Sequence, residues 1–147
     1  MKPFAYRLVD LSHILDSNSP TWDGGCGFKH EVEVDYHTNP QETAFRVMKL
    51  RMQAGIGTHM DAPSHCIPGG KCIHEFEVND LIMPCVKIDV SAKAHERYSL
   101  SVEDIKAFES QFGIIPAKSC VLIQTGWDRF WSEPEKYRNH HVFPAVS

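Results

Sequence analysis

Residues 55 to 74 read Gly-Ile-Gly-Thr-His-Met-Asp-Ala-Pro-Ser-His-Cys-Ile-Pro-Gly-Gly-Lys-Cys-Ile-His. Three side chains that can bind a metal or carry a proton, His59, Asp61 and His65, fall in one short run of it. Imidazole nitrogen and carboxylate oxygen are donors that suit zinc and similar divalent ions. His59 and Asp61 are two apart, and on an extended segment residues i and i+2 point the same way, so both can face one ion. A regular helix is not expected here. Gly55 and Gly57 are poor helix formers, and Pro63 drives Ala62 out of the helical region. Gly57 is expected where a side chain would clash or where φ is positive. Pro63 stiffens the chain before His65, which can then stand beside the metal without binding it, as a general acid or base. Alone, a His-x-Asp pair is more often a surface hydrogen bond. The Gly-x-Gly-Thr before it and the Pro-x-His after it raise the claim.

With those residues in view, the stretch resembles the signature of the metal-dependent cyclase family, best known from bacterial kynurenine formamidases. That signature reads His-x-Gly-Thr-His-x-Asp-x-Pro-x-His. It is matched at Gly57, Thr58, His59, Asp61, Pro63 and His65. Val9-Asp10-Leu11-Ser12-His13 resembles the family's opening strand, and Ser19-Pro20-Thr21-Trp22 the turn after it. Ile67-Pro68-Gly69-Gly70-Lys71, Thr125-Gly126-Trp127 and Phe143-Pro144 resemble later landmarks. The resemblance implies hydrolysis of an amide, ester or lactam by metal-activated water. His59 and Asp61 are the implied ligands, His65 the implied general acid or base, and Trp22 an implied wall of the substrate pocket, with a plug in the local core as the equal alternative for Trp22. The implied cofactor is a divalent ion, zinc first and manganese second. An N-formyl arylamine such as N-formylkynurenine is the implied small-molecule substrate.

Two departures stand against this. The signature's first His, a ligand in the family, falls on Gly55, which has no side chain to offer. The family's chain also continues past the equivalent of Ser147, and the continuation normally brings a further His and Glu to the metal. The alternatives are a non-catalytic relative that acts as a binding or scaffold protein, or an incomplete chain that needs a partner segment.

The remaining composition is that of an ordinary soluble protein. Of 147 residues, 42% are hydrophobic and 23% charged, enough for one domain, residues 1–147, with a core of its own. A net charge of −4 gives no electrostatic case for nucleic acid or an anionic membrane. No apolar run approaches the roughly 20 residues of a membrane helix, and the first residues lack a signal peptide's apolar centre. A cytoplasmic protein is expected. Apolar surface normally covered by the family's continuation is expected to drive self-association, so a homo-oligomer is predicted. The five cysteines, Cys26, Cys66, Cys72, Cys85 and Cys120, have no disulfide-like spacing. Cys66 and Cys72 flank the signature without Cys-x-x-Cys spacing and are read as non-ligands. Cys85 and Cys120 head apolar runs and are expected to be buried small hydrophobes.

The elements that must hold the site follow from pattern. Arg7 to Ser12 reads as a first strand, and Asp16 to Gly27 as a loop. Phe28 to Tyr36 alternates apolar and charged residues, as a half-exposed strand does. Thr38 to Glu42 is a turn. Ala44 to Met52 is the return strand, with a bulge suggested by a phase shift between Val47 and Met48. His74 to Leu81 is irregular. Cys85 to Val90 is a strand, and Ser91 to Tyr98 a polar, exposed segment. Ser101 caps a helix that carries Ile105, Phe108 and Phe112 on its core side and ends at Gly113. Cys120 to Gln124 is a buried strand, and Trp127, Phe130 and Trp131 form a hydrophobic cluster or a pocket rim. His140 and His141 are read as exposed. The expected fold is α/β, a mixed β-sheet with a covering helix, of the cyclase-family swivelling β/β/α type, incomplete at its C-terminus.

Overall fold

A computed structural model describes residues 6–37, 45–96 and 98–138. The chain divides into two compact units, Met1–Met60 and Asp61–Ser147.

In the first unit, Phe28–Val34 (β1) pairs antiparallel with Val47–Met52 (β2). The expected alternation is present. Phe28, His30 and Val32 stand opposite Met52, Leu50 and Met48, while Lys29 and Glu31 stand opposite Arg51 and Lys49. One face is therefore largely apolar and the other charged, with Lys49 Nζ 3.8 Å from Glu31. The bulge is present too. Pairing passes from Val32↔Met48 to Val34↔Val47, so the phase shift read in β2 is met by one extra residue, Glu33, in β1. Beyond the strands, Arg46 grips Asp35 with Nε at 3.0 Å and Nη2 at 3.1 Å. The turn expected at Thr38 to Glu42 lies outside the described residues.

The loop before β1 is held by its own polar side chains. Thr21 Oγ1 donates to the Gly25 carbonyl at 2.6 Å, and the Asn18 amide donates to Asp16 Oδ1 at 2.8 Å. Ser19 and Thr21 are buried, as is Ile56 just before the signature. One expectation fails here: residues 7 to 12 form no strand. A strand needs a ladder partner, and no described strand pairs with this run. Leu8, Val9 and Leu11 are exposed accordingly.

In the second unit, Cys85–Asp89 (β3) and Cys120–Gln124 (β4) pair in parallel, joined through the helix Val102–Phe112 (α1). This is the expected strand–helix–strand unit, but β4 is not the buried strand expected, since Val121 and Leu122 at its centre are exposed. Ser101 caps α1: its hydroxyl accepts from the Asp104 amide at 3.2 Å, and Asp104 accepts from the Ser101 amide at 2.9 Å. Gly113 ends it at φ +96°. Ile88, Val90, Tyr98 and Leu100 form the core, with Ile105, Phe108, Ile115 and Ile123 packed against them.

Two sequence expectations are corrected here. Tyr98 belongs to the core, at 8% exposure, not to a solvated segment. Its hydroxyl donates to Asp104 at 2.7 Å, which satisfies the one polar atom its burial would strand. Phe112 is 68% exposed. It stacks on Phe108 at 5.0 Å between ring centroids, one residue before the helix ends, and does not reach the core.

Two short 3₁₀ turns, Ile73–Glu75 and Val78–Leu81, occupy the region expected to be irregular. After β4, Trp127–Phe130 forms another, and Pro134–Arg138 a short helix (α2). Trp127 packs edge-on against Phe130 at 4.9 Å, and its indole N–H donates to the Tyr137 carbonyl at 3.2 Å. That is a local hydrophobic cluster with its polar group satisfied. The two described sheets are thus one antiparallel and one parallel pair, a mixed α/β composition with one helix covering the parallel pair.

Candidate functional site

The boundary between the two units falls between Met60 and Asp61, inside the signature. The first unit supplies Gly55, Gly57 and His59. Gly57 has φ +65°, and a Cβ there would meet Leu15 Cδ2 at 2.4 Å. Both reasons anticipated for a glycine at this position therefore apply. Its carbonyl is turned to His59, whose Nδ1 lies 2.8 Å away. A carbonyl can only accept, so Nδ1 carries the proton and Nε2 of the neutral ring carries the lone pair. That is the usual arrangement of a metal-binding histidine, whose other ring nitrogen donates to a backbone carbonyl or carboxylate. A Cβ built on Gly55 would lie 3.4 Å from His59 Nε2. A side chain at position 55 would therefore enter the space beside that nitrogen.

The second unit supplies Asp61 and His65. Ala62 is extended, with φ −83° and ψ 157°, as a residue before proline should be. Pro63–His65 forms a 3₁₀ turn with proline at its start. The loop that follows folds back over it. Gly70 donates to the Ile67 carbonyl at 2.8 Å, and Ser64 to the Lys71 carbonyl at 3.2 Å. A Cβ on Gly70 would sit 2.9 Å from three backbone atoms of Pro63, Ser64 and Ile67, so only glycine lets the loop close so tightly. His65 Nδ1 is 3.9 Å from Asp61 Oδ1, beyond direct hydrogen-bond range. Both side chains are more than half exposed.

Trp22, the expected pocket wall, is 66% exposed in the first unit. Cys66 is exposed and Cys72 half-buried. The Cys72 amide donates to Glu75 at 2.6 Å, closing the turn Ile73–Glu75. A groove of about 640 Å³ lies along the first unit's hairpin, lined by Cys26, Phe28, His30, Lys49, Leu50 and Arg51 among others. None of the signature residues lines it, and it is set apart from the site on that ground. His140 and His141 lie outside the described residues.

The donor types fit a divalent ion: one imidazole nitrogen with its tautomer fixed, and one carboxylate. Their number is two, and among the described residues no three His, Cys, Asp or Glu side chains are gathered to hold a metal. Sequence reasoning picked out Gly57 and His59 but missed the carbonyl that orients the ring. Only the backbone conformation at Gly57 reveals it.

The chain is 30% identical over 104 residues to kynurenine formamidase from Bacillus cytotoxicus, covering 71% of this chain and 46% of that protein. It is 35% identical over 83 residues to kynurenine formamidase from Bacillus cereus, covering 56% and 38% respectively. Isatin hydrolase A from Ralstonia solanacearum superposes with a TM-score of 0.73 at 29% identity, over 88% of this chain and 53% of that one. The chain thus spans about half the length of the relatives it matches. The Cyclase family profile matches residues 9–147, and the chain belongs to that family.

Proposed function

We propose that this chain carries the catalytic signature of a hydrolase that opens amide, ester or lactam bonds, acting on carbon–nitrogen bonds other than peptide bonds. The substrate class is an N-formyl arylamine of the N-formylkynurenine type. The observation that carries the reading is the run from Gly57 to His65, with His59 held in the ligand tautomer by the Gly57 carbonyl. Relatives named kynurenine formamidase and isatin hydrolase support it.

His59 and Asp61 would hold the divalent ion, zinc or else manganese. Such an ion, when bound, lowers the pKa of water and polarises the substrate carbonyl. The Gly57 carbonyl keeps the proton of His59 on Nδ1 and so keeps Nε2 basic. The tight loop closed by Gly70 fixes the turn that bears His65. His65 moves a proton to the leaving nitrogen or oxygen. Trp22, exposed on a loop pinned by the buried Ser19 and Thr21, offers an aromatic face to an aryl substrate. The swivelling β/β/α arrangement, a cytoplasmic location and self-association belong to the same proposal. Self-association draws support from the apolar hairpin face, where Val32, Met48, Leu50 and Met52 are exposed.

A second reading is favoured by one specific observation. Gly55 places no side chain beside His59 Nε2, where the family signature has a ligand. A relative that kept the fold and lost the chemistry would carry such a change. Hydrolysis of N-formyl arylamines by the purified protein, with zinc or manganese supplied, separates the two. Turnover that falls about 10²–10⁴-fold in His65→Gln supports the hydrolase. No turnover of formyl arylamines, aryl esters or lactams with either ion sinks it.

A further inference from the structure

Across the hairpin of the first unit, Lys29 stands directly opposite Arg51. Side chains so opposed share one face of the sheet, with Cβ atoms about 4.5–5.5 Å apart. Like charges at that distance destabilise a strand pair. The next rung shows the ordinary solution: Lys49 is opposite Glu31, with Nζ 3.8 Å from its carboxylate. The rung of Lys29 and Arg51 has no such relief, for among the described residues neither cation is in an ion pair. Both are exposed. Two positive charges therefore face solvent on one rung of a chain whose net charge is −4.

Both side chains line the groove of about 640 Å³ along that hairpin. Its size falls in the range of small-molecule sites, roughly 300–1,000 Å³. Phe28 and Leu50 line it as well, so apolar surface adjoins the two cations. The Lys49–Glu31 pair also lines it and adds no net charge. The charge left to be matched is that of Lys29 and Arg51 together. A carboxylate brings a single negative charge and leaves one cation unmatched. A phosphate monoester brings about 1.5 to 2 near neutral pH, on three acceptor oxygens. The planar guanidinium of Arg51 suits two of those oxygens side by side, and the Lys29 ammonium acts on the third as a point charge.

We propose that this groove binds a small organic phosphate monoester, with the phosphate on Lys29 and Arg51 and the organic part against Phe28 and Leu50. The site is separate from the signature, none of whose residues lines it. Binding is a reversible association with no covalent step. It rests on exposed charges, so it weakens as salt is added.

The test is a titration of the purified protein with phenyl phosphate at low ionic strength, followed by amide shifts in nuclear magnetic resonance. Saturable shifts are expected at the groove-lining residues of β1 and β2. Benzoate, with the same ring and a single charge, should bind at least about tenfold more weakly, or 1.4 kcal/mol. Lys29→Gln and Arg51→Gln should each weaken phenyl phosphate by at least about tenfold, while Lys106→Gln, which removes the same charge from α1, should not. Lys29→Glu guards against misfolded variants. It turns the repelling rung into an attractive one, so its melting temperature should be no lower than that of the unmutated protein while binding is lost. Affinity unchanged in either Gln variant of the rung, equal binding of benzoate, or shifts confined to other residues would overturn the proposal.

Discussion

At position 57 the chain must be left-handed and must leave room for Leu15, and glycine alone meets both needs. Gly57→Ala should cost about 1–2 kcal/mol for the backbone conformation alone, with the Leu15 overlap adding to it. Urea denaturation followed by circular dichroism checks this; an unchanged midpoint would mean the backbone relaxes away from φ +65°. The variant should also weaken divalent-metal binding, because the displaced carbonyl no longer fixes the His59 tautomer. Position 55 gives the opposite experiment. Its Cβ direction leads to His59 Nε2, so Gly55→His should raise zinc affinity by about tenfold or more. Competition with a zinc-sensitive dye measures it. Affinity that stays flat would show that the site is built without a donor at that position.

The helix α1 is where the electrostatics of the fold concentrate. Lys93 beside Asp104, then the Tyr98 hydroxyl and the Ser101 amide, hold the Asp104 carboxyl far below the ordinary carboxylate range. A carboxylate depressed on folding stabilises the native state above its unfolded pKa, about 3.9, and that contribution is lost as pH falls below it. Stability of the second unit should therefore decline as pH falls below about 4. Asp104→Asn should flatten the decline in an acid titration followed by tyrosine fluorescence, and an unaltered slope would place the acid sensitivity elsewhere. Ser101→Ala removes the cap and should cost about 1 kcal/mol, read as a lower melting temperature.

Much at this scale was legible in sequence. The cap, the Gly113 stop, both parallel strands and the bulge all rest on local rules: a hydroxyl three residues before an acid, a glycine, an apolar run, a slipped period. What was not legible depended on partners remote in sequence. Residues 7 to 12 have strand composition but no described neighbour to bond with. Tyr98 looked solvated beside Glu96 and Arg97, yet its hydroxyl finds Asp104 and its ring finds the core. The pairing of Cys85 with Cys120 could have been anticipated, though not that Cys85 is exposed and Cys120 half-buried, where both were expected to be buried. Cys-Val-Lys-Ile-Asp and Cys-Val-Leu-Ile-Gln are matched runs, and in-register pairing of matched strands brings their first residues together.

Across the whole chain, His59 falls at the end of the first compact unit and Asp61 and His65 near the start of the second. The residue types of the site were readable because the signature is long and its glycines and prolines have separate mechanical reasons to be there. The full donor set was not, since Gly55 contributes none and the chain spans about half of its relatives. No helix among the described residues is long and apolar enough to cross a membrane.

The central claim is that His59 and Asp61 hold a divalent ion. Elemental analysis of protein purified without chelator, beside His59→Ala and Asp61→Ala, tests it most directly. The account predicts about one zinc or manganese per chain, lost in both variants together with hydrolysis of N-formyl arylamines. Metal content unchanged in the variants, or no uptake when either ion is supplied, would contradict it.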